Sequence, residues 1–242
     1  MSHHVYNGVC MKKAFTLAEV ISLHPTCQRK IAFTLAEVLI TLGIIGVVAA
    51  LTMPTLIANH KKAVMVNRIK YVYSLISQVL VTSQAENGDI AEWEYGLNTD
   101  DVAAANLKTA VDKYFKPYMQ VVGEGSAENK HYYLLLKNGI TLTFTLDGTA
   151  EGVSTVIYII AGFNGNKRGL TASTRDYSKN DFVLTVAPHK NKLTFFQWGD
   201  DRDGLINNAS YGCNKNIAKS RRLNCGALIQ NDGWEIKEDY PW

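Results

Sequence analysis

The chain has 242 residues, 47% of them hydrophobic, and 25 Lys and Arg against 22 Asp and Glu. A formal net charge of +3 gives no case for a nucleic-acid-binding surface. No G-x-S-x-G, H-E-x-x-H or G-x-x-x-x-G-K-[ST] pattern occurs, and "GFNGNKRG" has glycines without the required lysine position, so no enzyme is specified.

In chain order, the first feature is a repeated phrase. AFTLAEV occurs at Ala14–Val20 and again at Ala32–Val38. The first copy runs into "ISLHPTCQRK", whose His24, Pro25, Arg29 and Lys30 rule out an apolar membrane helix. The second copy opens a different kind of segment. From Val38 to Asn59 there is no ionisable side chain, and as a helix those residues rise about 33 Å, enough for a hydrocarbon core of about 30 Å. Basic residues before the span (Lys12, Lys13, Arg29, Lys30) favour a cytoplasmic N-terminus and an exported C-terminal part. The cluster His60, Lys61 and Lys62 on the far side works against that bias.

Beyond the span, Val66, Ile69, Val72, Tyr73, Ile76, Val79 and Leu80 recur at spacings of three and four, one face of an amphipathic helix. Asn87-Gly88 breaks the pattern. Phe33 to Gln84 is therefore expected as one helix of about 78 Å, with Pro54 as its kink. Glu37 is the one carboxylate near the start of the apolar run. At a membrane helix centre it would cost about 2.5–3.5 kcal/mol. It has two readings: a side chain that snorkels to the headgroups and favours the helix N-terminal dipole, or a group held for a positive partner inside the membrane.

"RKIAFTLAEVLITLGIIGVVAALTMPTLI" resembles the N-terminal signature of type IV prepilins and type II secretion pseudopilins: a short basic leader, a small residue, Phe-Thr-Leu, a Glu soon after, then about twenty apolar residues. In that family a membrane peptidase cuts before the Phe and methylates the new amine. The resemblance implies Ala32 as the residue before the cut, in place of the usual Gly, and Phe33 as the mature N-terminus. It implies Glu37 as the acid that pairs with the first amine of an adjacent subunit, and Pro54 as the helix-kinking proline. Residues 1–32 become a leader containing a partial duplicate of the motif, with Met11 as an alternative start. Removing them takes away four bases and one acid and leaves 21 of each. The expected divisions are then 33–59, a transmembrane and assembly helix; 60–85, its amphipathic continuation; and 86–242, a globular domain. Close approach of neighbouring helices would use Gly43, Gly46 and Ala50.

In the globular part a helix is expected from Asp100 to Phe115, with Thr99 as cap and Pro117 beyond its end. "HYYLLLKNGITLTFTLDG" is the strongest strand signal. Ile140, Leu142, Phe144 and Leu146 alternate with threonines, and Asn138-Gly139 is expected as a two-residue turn. Further strands are expected at Thr155–Ile160, Phe182–Val186 and Leu193–Trp198, followed by irregular chain and a short helix at Leu223–Gln230. This is an α+β, pilin-like arrangement: one long N-terminal helix, half membrane-spanning and half amphipathic, packed on a small antiparallel sheet. "IYIIAGFNGNKRGLTASTRDYSKNDFVLTV" and the ending "CGALIQNDGWEIKEDYPW" resemble segments of a prepilin-like subgroup, although Gly162 stands where that subgroup has an Asp.

Cys213 and Cys225, twelve apart in an exported domain, read as a disulfide worth about 3 kcal/mol, with two buried free thiols as the alternative. Asn164, Asn166 and Asp181 in one loop, and Asp200, Asp201 and Asp203 in another, offer oxygens that calcium could use. Neither stretch has EF-hand spacing, and acidic turns are ordinarily solvated. No other cofactor is implied.

The sequence therefore predicts a structural subunit of a type II secretion pseudopilus or type IV pilus, inserted N-in/C-out in a bacterial inner membrane. Its partners would be the prepilin peptidase/methyltransferase, other pilin or pseudopilin subunits and the inner-membrane assembly machinery, with no specific nucleic acid. The alternative is a single-span anchored module whose exported domain binds a ligand and never polymerises.

Overall fold

Apolar side chains at three- and four-residue spacing over Met65–Leu80 demand a helix with one covered face, and the computed structural model places them so. It describes residues 34–95, 103–127, 131–147, 156–164 and 175–242, which excludes Ala32, Phe33, Thr99 and Asn166. The chain divides into two units, Met1–Leu51 and Thr52–Trp242. Helix α1 (Leu35–Asn87) supplies the described part of the first and the opening of the second, and runs through Pro54. In the second unit its buried residues are Met65, Val66, Ile69, Val72, Ile76, Val79, Leu80 and Ser83, the face expected from the periodicity. Tyr73 flanks that face, its ring stacked 5.6 Å from Phe195. The helix closes at Gly88, whose N–H donates to the Gln84 carbonyl at 3.0 Å.

The surface that receives α1 is a six-stranded antiparallel meander in sequential order: β1 (Val121–Ala127), β2 (His131–Leu136), β3 (Thr141–Asp147), β4 (Val156–Gly162), β5 (Asp181–Ala187) and β6 (Lys192–Phe195). Its register aligns apolar residues across the strands. Tyr132 opposes Phe144, Phe144 opposes Ile159, Ile159 opposes Leu184, and Leu184 opposes Phe195. All five are buried and belong to one core with the α1 stripe. Helix α2 (Ala103–Tyr114) adds Leu107, Ala110, Val111 and Tyr114. Trp93 stacks on Tyr114 at 4.4 Å, and Phe115 meets Phe144 at 5.1 Å. The fold is α+β with a long N-terminal helix and an antiparallel sheet, as the sequence predicts.

Three local readings need correction. The β2–β3 connection is a three-residue loop, Lys137 to Gly139, in place of a two-residue turn. Gly139 N–H donates to Leu136 O at 2.9 Å and Leu136 N–H to Ile140 O at 2.8 Å. Only Gly139 is left-handed (φ +82°), because a turn followed by one left-handed residue already closes this hairpin. Strand β6 ends at Phe195, short of Trp198, because Trp198 N–H donates to Asn224 Oδ1 at 2.9 Å. Edge strand β1 was not expected at all.

The C-terminal part is held by side chains more than by ladders. Cys213 and Cys225 form a disulfide with a Cα–Cα distance of 4.9 Å, and both are fully buried. Buried Asn224 also donates to the carbonyls of Trp198 (3.1 Å) and Leu205 (3.3 Å). Helix α4 (Cys225–Asn231) lies so close to β6 that a Cβ on Gly226 would sit 2.5 Å from Phe195 Cδ1. Gly226→Ala should therefore lower stability by about 1–3 kcal/mol and Ile76→Ala by about 2–5 kcal/mol. Urea titration of the full chain in detergent micelles measures both.

Candidate functional site

The first half of α1 has the opposite character from the second. Thirteen large apolar residues from Leu35 to Ile57 are more than 40% exposed, Leu35, Leu51 and Leu56 at least 70%. None of the most apolar stretch is buried within the chain. Burying a large apolar side chain is worth about 1.5–3 kcal/mol, so leaving thirteen in water forgoes about 20 kcal/mol, more than the whole stability of a typical domain. This surface is built for contact with lipid or protein. It is one N-terminal apolar helix of membrane-anchor or signal type, and the disulfide is consistent with export.

Within it, Gly43 and Gly46 are conspicuous for what they do not do. A Cβ on either would meet nothing within 4 Å, yet each glycine costs about 1 kcal/mol of helix propensity against Ala. No packing demand among the described residues accounts for them. Ala50 is likewise exposed, and Pro54 withholds the hydrogen bond its nitrogen would otherwise give to Ala50. The Thr41 hydroxyl donates to the Val38 carbonyl at 3.0 Å, which hides a polar group inside the apolar run.

Glu37 is placed by a capping box. Its Oε2 accepts from Thr34 N–H (2.8 Å) and from the Thr34 hydroxyl (2.9 Å), while Glu37 N–H donates to Thr34 Oγ1 at 3.2 Å. Oε1 takes part in none of these bonds. In the single chain Glu37 thus caps the helix, and among the described residues its second oxygen has no partner. Thr34 and Glu37 stand at the three-residue spacing that a capping box requires.

Of the candidate cation ligands, Asn166 lies outside the described residues, and the others are placed as follows. Among the described residues no three His, Cys, Asp or Glu side chains are grouped to hold a metal ion. Asp181 is buried and accepts from Asp176 N–H at 3.1 Å, with Arg175 at 3.6 Å; Asn164 is exposed. Asp201 caps a helix the sequence reading missed, α3 (Arg202–Asn207), by accepting from Gly204 N–H at 2.8 Å. Asp203 accepts from Asn207 Nδ2 at 2.7 Å, and Asp200 is exposed. The residue that matters in "GDDRDG" is Arg202. It donates to Asp232 (2.7 and 3.0 Å) and to Asp239 (3.0 Å), and Lys237 Nζ joins Asp232 at 2.8 Å.

An α+β chain with an apolar N-terminal helix, a sequential six-stranded meander and the Cys213–Cys225 disulfide is the class these features define. The chain belongs to a family of unknown function, DUF6613, whose family model matches residues 55–242. No curated protein and no solved structure matches it.

Burial alone would push the Asp232 carboxyl up, but its hydrogen bonds from Arg202 and Lys237 hold it below the ordinary range. A carboxyl depressed on folding contributes stability above its unfolded pKa, about 3.9, and loses that contribution as pH falls through the folded value. Asp232→Asn should therefore cost about 1 kcal/mol at neutral pH, where solvent screens the Arg202 side. The gap to wild type should close below about pH 4, as thermal melts at stepped pH would record.

Proposed function

We propose that this protein is a structural, non-enzymatic subunit of a pilin-like filament, a type II secretion pseudopilus or type IV pilus. In this reading a prepilin peptidase/methyltransferase cuts between Ala32 and Phe33 and methylates Phe33. The precursor sits N-in/C-out in a bacterial inner membrane, and the mature chain passes into a helical assembly with other pilin or pseudopilin subunits.

The observation that carries the reading is the α1 segment apolar on all sides, with open glycines at positions 43 and 46. In the membrane precursor lipid covers it. In an assembly the same segments of neighbouring subunits cover one another, and small residues let their backbones approach. The uncommitted Oε1 of Glu37 supports a further step, in which it meets the amine of an adjacent subunit's first residue as that amine enters the apolar interior. A helix that only anchored a domain would need no glycines at 43 and 46, and would use Glu37 only as its cap.

Glu37→Ala should leave membrane insertion intact while filament yield in the native host falls at least about tenfold, given about 2–5 kcal/mol for an unpaired buried charge partner. Gly46→Leu should lower the yield by blocking close helix approach. Sheared-filament fractions and carbonate-washed membranes measure the two quantities separately. Wild-type filament yield in Glu37→Ala would favour the anchored ligand-binding module instead.

A further inference from the structure

The basic cluster just beyond the apolar helix is the sequence feature that the filament reading leaves unused. His60, Lys61 and Lys62 follow the span on the exported side, where the positive-inside bias disfavours them. The structure gives them company. His60, Lys61 and Arg68 from α1 share a cavity of about 480 Å³ with Lys179, Asn180 and Trp242. Lys179 and Asn180 come from the turn before β5, so one loop and one helix converge their cations on a single cleft. No acidic side chain lines it.

Several cations of the second unit are neutralised locally, Lys108 by Asp112, Lys116 by Asp112 and Glu124, and Arg202 and Lys237 by Asp232. Others, such as Lys137 and Lys192, stand singly; among the described residues, only in this cleft do unpaired cations from separate elements line one cavity. Among the described residues His60, Lys61, Arg68 and Lys179 have no such carboxylate. Lys179 Nζ instead lies 5.3 Å from the ring centroid of Trp242, a cation–π contact that leaves its charge uncompensated. His60 is the first ionisable residue after the 22-residue apolar run, so chain continuity sets this end of the cleft at the depth where the span meets headgroups. An indole beside lysines is the side-chain pairing that settles at that depth.

We propose that this cleft binds the phosphate of an anionic phospholipid, such as phosphatidylglycerol, in the leaflet from which α1 emerges. The inference rests on reading α1 as membrane-spanning. Lys61, Arg68 and Lys179 supply the charge, and the Asn180 amide is available as a neutral donor. Trp242 covers the glycerol and upper acyl region. The lipid would hold the globular part against the membrane and offset the cost of basic residues on that side.

The test uses the full chain purified in micelles containing equal phosphatidylglycerol and phosphatidylcholine, with retained lipid counted by native mass spectrometry. Wild type should retain phosphatidylglycerol preferentially. Each of Lys61→Ala, Arg68→Ala and Lys179→Ala should reduce that preference by about fivefold at low salt, and Trp242→Ala should weaken it. Lys61 and Arg68 are exposed, so their loss does not threaten folding; melting curves check Lys179→Ala. Equal retention of both lipids, or a preference unchanged in the triple variant, overturns the proposal. So does displacement of the lipid by millimolar inorganic phosphate, which would make this a free-phosphate site. Release of wild type from native membranes by alkaline carbonate would sink the spanning helix itself. A chain that stays in the membrane without lipid preference fails only the cleft.

Discussion

The structure of the second unit depends on one contact: the stripe of α1 from Met65 to Leu80 against the inner face of the sheet. Ile69, Val72 and Ile76 are at most 1% exposed, and they share a core with the apolar rows of β2 to β6. An antiparallel meander has two faces, and without a helix on one of them its apolar rows would meet water. The same stripe also sets where the rest can go. Tyr73 meets Phe195, and Phe195 leaves room for α4 only because residue 226 is glycine.

Beyond β6 the chain is ordered by a different device. From Phe196 onward there is little regular structure, and backbone groups are satisfied by side chains. Asn224 bridges Trp198 and Leu205, Arg222 donates to the carbonyls of Ile217 and Lys215, and the Tyr240 hydroxyl donates to Ser178 O at 2.7 Å. Such segments gain little from propensity, so a cross-link that restricts the unfolded chain matters more to them. The Cys213–Cys225 disulfide sits at the centre of this region. It joins the segment after α3 to the first residue of α4.

What could be read in advance follows from this division. The α1 stripe, the β2–β3 hairpin and the cysteine pair are signalled by period, turn residues and spacing, and each appears close to its expected place. Strand β1 was invisible because "VVGEGSA" carries two glycines, which strands ordinarily avoid. It exists by pairing with β2, where Tyr133 lies over Gly125 so closely that a Cβ there would be 2.7 Å from the phenol oxygen. Helix α3 was hidden because its cap, Asp201, sits in a stretch whose carboxylates suggest a solvated turn or a cation loop. Six residues are too few for a hydrophobic period to show. At the N-terminus, the apolar run and Glu37 were plain, but not that Glu37 closes a capping box with Thr34. Arg202 was missed because its partners, Asp232 and Asp239, lie 30 or more residues away in the chain.

The account joins two opposed requirements in one helix: a half that must be covered by something outside the chain, and a half that the chain covers itself. The claim at its centre is that the outer cover is a filament of processed subunits, which requires a free, modified amine at Phe33. Mass spectrometry of the mature N-terminus, on protein recovered from its own host, tests this most directly. The account predicts a chain that begins at N-methylated Phe33. An intact leader, or a chain that begins at Phe15, would contradict it and leave α1 as a simple membrane anchor.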